Sequence, residues 1–112
     1  MKLSIDQSVL SEKLNEANRF TASKNSSPLL GGYYLEALPN NELLVRTSSG
    51  TVVYETKLTA QVETEGECVV PAGLLLSIVK SLEGGEIKLS LSDDSLKVSQ
   101  KRSQSQISIM PA

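Results

Sequence analysis

An α+β fold is predicted, with two helices side by side on the inner face of two antiparallel sheets. Two segments repeat apolar residues at helical spacing, and alternating runs surround both. The order strand, helix, three strands is met twice, in halves of about 1–62 and 63–112. Each apolar helix stripe needs a sheet to cover it, and one shared helix layer meets both needs.

Residues 2–6 alternate, with Leu3 and Ile5 on one side, and predict a short strand. Asp6 or Ser8 is placed to cap a helix over 7–19, whose stripe is Val9, Leu10, Leu14 and Ala17. The small polar stretch 21–28 ends in Pro28 and predicts a loop. Strands follow at Leu29–Leu38, Glu42–Ser48 and Thr51–Val62, with turns at Pro39-Asn40-Asn41 and Ser49-Gly50. The pattern then restarts with a strand at Glu67–Val70. Pro71 suits the first turn of a second helix, because its missing N–H is not needed there. Leu74, Leu75, Ile78, Val79 and Leu82 form that helix's stripe, closed by Gly84-Gly85. Three strands end the chain, carrying Ile87, Leu89 and Leu91, then Leu96 and Val98, then Ile107 and Ile109. Their turns fall at Asp93-Asp94-Ser95 and Lys101-Arg102.

Composition removes several function classes. The 112 residues suit one domain, and 39% hydrophobic content is enough for a core without staples. There is no histidine and a single cysteine, Cys68, which excludes disulfide scaffolds, zinc clusters and His-based catalysis. Gly31-Gly32 and Gly84-Gly85 lack the spacing of a phosphate loop. Asp93 and Asp94 are adjacent in a turn and project apart. No metal, cofactor or enzymatic activity is therefore expected. Apolar runs such as Leu74-Leu75-Leu76 are far short of the roughly 20 residues of a membrane span, and the N-terminus has no apolar signal core. A cytoplasmic protein is expected. A net charge of −2 argues against a generally basic nucleic-acid binder.

The helix faces left outside the stripes carry Ser8, Ser11, Glu12, Asn15 and Arg19 on the first helix, and Gly73, Ser77 and Lys80 on the second. Lys13 falls inside the first stripe, where its aliphatic stem packs. Leu76 falls off the second. Small polar residues with a few cations make either an ordinary solvated face or a smooth surface past which a partner slides.

The chain resembles the N-terminal domain of the bacterial sliding clamp, the beta subunit of DNA polymerase III. The resemblance rests on the Met1-Lys2-Leu3 strand before the Leu10/Leu14 helix, and on Ser27-Pro28-Leu29-Leu30-Gly31 entering the second strand. It rests further on Val69-Val70-Pro71-Ala72, Leu82-Glu83-Gly84-Gly85-Glu86-Ile87 and the ending Met110-Pro111-Ala112, in that order along the whole chain. It implies the DNA-clamp fold with an internal βαβββ pseudo-repeat, and a first domain of a longer three-domain subunit. In the family such domains close into a ring around duplex DNA that confers processivity on the replicative polymerase. DNA, other clamp domains, polymerase and clamp loader are the implied partners. Lys24 sits where the family places a DNA-contacting cation, with Arg19 and Lys80 added by helix face. The joint between subunits points to Leu76, Arg102, Gln104 and Ile107, the last equally placed to be core. Gly73, Thr47-Ser48-Ser49 and Gln104-Ser105-Gln106 depart from the family pattern. The rival reading is a generic β-rich interaction module without a DNA role.

Overall fold

The computed structural model describes residues 1–20, 32–48 and 52–109. The elements run β1 (Lys2–Asp6), α1 (Gln7–Ala17), a 3-10 turn (Asn18–Phe20), β2 (Gly32–Leu38), β3 (Glu42–Ser48), β4 (Val53–Thr59) and β5 (Gln61–Thr64). They continue with β6 (Gly66–Pro71), α2 (Ala72–Ser81), β7 (Glu86–Leu91), β8 (Ser95–Gln100) and β9 (Ser103–Ser108). All pairings are antiparallel: one sheet has the order β5-β1-β7-β8-β9, the other β4-β3-β2-β6. The opening strand of each half pairs with the other half's sheet, β1 against β7 and β6 against β2. The predicted break near residue 62 falls inside β5.

Each helix forms for a local reason. The Asp6 carboxylate accepts from the Ser8 hydroxyl and, at 3.2 Å, from the Val9 N–H, capping α1. These bonds hold the Asp6 carboxyl below its usual pKa. Pro71 flanks α2 rather than occupying its first turn, and its side chain offers no cap. Leu82 is extended and ends α2, so the glycines come after the helix and not at its cap; Gly85 takes φ 121 in the turn to β7.

Both predicted stripes are rotated in the structure. The buried set of α1 is Gln7, Leu10, Leu14 and Ala17, while Val9 is 39% exposed. The buried set of α2 is Ala72, Leu75, Leu76 and Val79, while Leu74 is 50% exposed. A run of three leucines satisfies two stripes about 100° apart, and the one with Ala72, Leu75, Leu76 and Val79 is buried. Gln7 is buried because it is used: its Nε2 donates to the Val79 carbonyl at 2.9 Å, and its backbone N–H donates to Gly85 O at 2.7 Å. This joins the start of α1 to the end of α2. At the other end of α1, the Tyr33 hydroxyl donates to Leu14 O at 2.7 Å and the Thr47 hydroxyl to Ala17 O at 3.1 Å. The Leu14 carbonyl, which also accepts from the Asn18 N–H, and the Ala17 carbonyl are thereby tied to the sheet inside the core.

The predicted Thr51–Val62 strand is two strands in two sheets. Its core-facing alternation Leu58, Ala60, Val62 continues through the break, so the periodicity carries no mark of it. The crossing is held by Asn41, at φ 61 in the β2–β3 turn. Its carbonyl accepts from Ala60 N at 3.0 Å and its Oδ1 from Val62 N at 3.1 Å. The inner faces of both sheets and the buried sides of both helices form one continuous apolar core.

Candidate nucleic-acid interface

The helix layer is where the sequence places its contacts. Its exposed residues include Ser8, Val9, Glu12 and Asn15 on α1, and Gly73, Leu74, Ser77 and Lys80 on α2. Lys13 is half-buried and pairs with Glu16 at 3.2 Å, one turn on. Lys80, in the last turn of α2, is favoured there by the helix dipole. Arg19 is exposed in the 3-10 turn that follows α1. The Gln7–Val79 bond sets the end of α2 against the start of α1, so Lys80 and Arg19 stand at opposite ends of the layer. Their separation is about one length of α1, on the order of 16 Å at 1.5 Å rise per residue. They do not form a single patch. Lys24 lies outside the described residues.

The four joint candidates divide. Arg102 is exposed in the β8–β9 turn, and Gln104 is exposed on β9, an edge strand. Leu76 and Ile107 are 8% and 1% exposed and belong to the core. This corrects the placement of Leu76 off the apolar face. It also resolves Ile107, which pairs with Leu96 and points inward among the strands of its own sheet. Both side chains are covered before any second domain arrives. The structure adds a feature that periodicity missed: Val52 and Val53, 48% and 65% exposed, lead into β4 at the edge of the other sheet. Two adjacent valines at a strand start were the available signal, because in a covered strand only one of them faces inward.

No group of three or more metal-type side chains gathers among the described residues. No helix among them is long and apolar enough to cross a membrane. Cys68 is buried on the inner face of β6, and burial pushes its thiol up to about 11, so it stays protonated and weakly reactive. In the unfolded chain the same thiol ionises near its ordinary value of 9.0. The unfolded state therefore sheds a proton first, and stability falls as pH rises from about 9 to about 11. Cys68→Ala is expected to flatten that decline by up to about 2–3 kcal/mol in denaturant titrations across this range. An unchanged decline would remove Cys68 from it.

The family described as DNA polymerase III beta subunit, N-terminal domain, matches residues 1–112. A beta sliding clamp of Synechocystis is 35% identical over 95 residues, and one of Mycoplasma capricolum is 29% identical over 99. Each alignment covers 84% of this chain, and the chain spans about a quarter of each relative, 24% and 26%. The fold matches the Caulobacter crescentus pol III beta structure with a TM-score of 0.93 at 27% identity, over the whole chain and 31% of that protein. It matches the Helicobacter pylori beta clamp bound to a DNA ligase peptide with a TM-score of 0.93 at 23% identity, over 99% of the chain and 30% of that protein. With two helices, two antiparallel sheets and a match along its whole length, the chain belongs to the DNA polymerase III beta subunit family, as an N-terminal clamp domain.

Proposed function

We propose that this chain is the first domain of a ring-forming subunit that encircles duplex DNA and holds a replicative polymerase on it. The observation that carries this reading is the family match over residues 1–112 by a chain that spans about a quarter of its full-length relatives. The helix layer is the face toward DNA. Its sparse cations suit that role, because a few Lys and Arg contacts to phosphate give attraction without a sequence code, and a dense patch would impede sliding. Arg19, Lys24 and Lys80 supply those contacts. No bond is made or broken, so the domain acts by position and topology and is not an enzyme. Arg102 and Gln104 at the β9 edge meet another clamp domain, where an unpaired strand edge continues a sheet across a joint. Polymerase and clamp loader act through the longer protein, in the cytoplasm.

The test is made in the full-length ring loaded on closed circular DNA. Replacing Arg19, Lys24 and Lys80 with glutamate is expected to shorten retention. It is also expected to lower the steepness of log affinity against log salt by about 0.9 for each lost phosphate contact. Retention that is independent of salt and unaffected by the triple variant would overturn the reading in favour of an interaction module without a DNA role.

A further inference from the structure

The outward faces of the two sheets differ in charge. On the four-stranded sheet, Glu36, Glu42, Glu55 and Glu67 outnumber Arg46 and Lys57. Arg46 is already engaged: its Nη2 lies 2.8 Å from Glu55 and its guanidinium stands 5.0 Å over the Tyr34 ring. The Tyr34 hydroxyl shares its one proton between Glu67 and, at 3.0 Å, Glu36; the Glu67 contact, burial and Glu36 together raise its pKa.

The five-stranded sheet carries both signs but keeps them apart: Asp6 and Glu86 face each other in one outward row, and the lysines lie in the two rows beside it. Its register sets Ser4, Lys88, Ser99 and Gln104 in one row across four strands. The next row is Lys2, Ser90, Lys97 and Gln106. Neither row holds a carboxylate, an aromatic ring or an aliphatic side chain. Lys2 reaches Glu63 on the neighbouring edge strand at 3.6 Å. Lys88 and Lys97 have no ion-pair partner among the described residues. Beside Lys88 the surface sinks into a pocket of 540 Å³, lined by Glu86, Lys88, Ser99, Gln100, Lys101 and Gln104, two cations against one carboxylate. Its base is braced by Gln100, whose amide accepts from Glu83 N at 2.9 Å and donates to Glu83 O at 2.6 Å. Lys101, at φ 51 in the β8–β9 turn, projects beside it and shares an exposed pair with Glu83 at 3.3 Å.

We propose that this face docks an acidic, extended segment of a protein partner. Lys88 and Lys97 occupy diagonal positions on adjacent strands, about 7–8 Å apart. Carboxylates at alternate positions of an extended peptide are about 6.5–7 Å apart, so one segment meets both ammonium groups. Ser4 and Ser99 supply neutral hydrogen bonds along the same row. Without a ring to stack on, the face gives single-stranded nucleic acid nothing beyond charge, and without apolar side chains it gives a hydrophobic peptide no anchor.

The experiment is fluorescence anisotropy of this chain with a labelled twelve-residue Glu/Ser peptide, alongside a single-stranded oligonucleotide of equal charge. The peptide is expected to bind at 50 mM salt and to weaken several-fold by 200 mM. Lys88→Glu with Lys97→Glu is expected to reduce affinity about tenfold, while Lys57→Glu on the other sheet leaves it unchanged. The milder Lys88→Gln with Lys97→Gln, checked for unaltered circular dichroism, is expected to give an intermediate loss. Absence of peptide binding at 50 mM salt, an equal loss from Lys57→Glu, or tighter binding of the oligonucleotide than of the peptide would each overturn the proposal.

Discussion

Ile107→Ala is expected to unfold this domain more readily, by about 2–5 kcal/mol, and not merely to loosen a contact at its surface. Ile107 is 1% exposed, opposite Leu96, on the core face of an edge strand. Truncation leaves a void that β9, paired on one side only, closes incompletely. Chemical denaturation of the chain is the measurement, and the thermal midpoint should drop by about 10–20 °C. Gln104→Ala, on the same strand but in register with Ser99 and facing outward, is the internal control, with a change within about 0.5 kcal/mol. An unchanged midpoint for Ile107→Ala, together with weakened ring assembly, would return this residue to the joint between subunits.

Gly66→Ala is expected to be comparably harmful, at about 2–4 kcal/mol, for a reason unrelated to cavities. Gly66 opens β6 at φ 156, a conformation that a side chain disfavours. A Cβ there would lie 2.8 Å from the Met1 backbone nitrogen, with Met1 Cβ and Cα at 3.0 and 3.1 Å. Met1 is itself buried, and its carbonyl accepts from Leu91 N at 2.8 Å, so it has little freedom to retreat. The same change at Gly73, where nothing stands within 4 Å, is expected to be neutral or slightly stabilising, because alanine is the better helix former. Equal denaturation midpoints for the two variants would show that the Gly66 contact is relieved elsewhere.

Local chemistry made much of the fold legible. The Asp6 cap, the Leu10/Leu14 spacing and the alternating cores of β7, β8 and β9 all follow from near neighbours in the chain. What escaped was decided by contacts far apart in sequence. Leu74, Leu75 and Leu76 fit two stripes equally, and only the sheets beneath α2 choose between them. The switch from β4 to β5 is hidden because Leu58, Ala60 and Val62 keep their alternation while the strand changes sheets. Its cause is an asparagine 21 positions before Val62. For the candidate site, the sequence nominates residue types and not their arrangement. Lysine and arginine could be named as phosphate contacts, but the separation of Arg19 from Lys80 depends on how α1 meets α2. The lysine rows were invisible because Lys88 and Lys97 become neighbours only through the register of β7 and β8.

The exchange of opening strands between the halves also orders events during synthesis. Lys2 through Asp6 are made early, yet their β7 partners, Glu86 to Ser90, follow roughly 80 residues later. At about 5–20 residues per second, β1 waits on the order of 4–16 s for that pairing. Leu3 and Ile5 remain without their final cover throughout, and β2 and β3 can zip together long before. β1 is thus made well before it is secured, and neither half can complete its sheet before the other has been made.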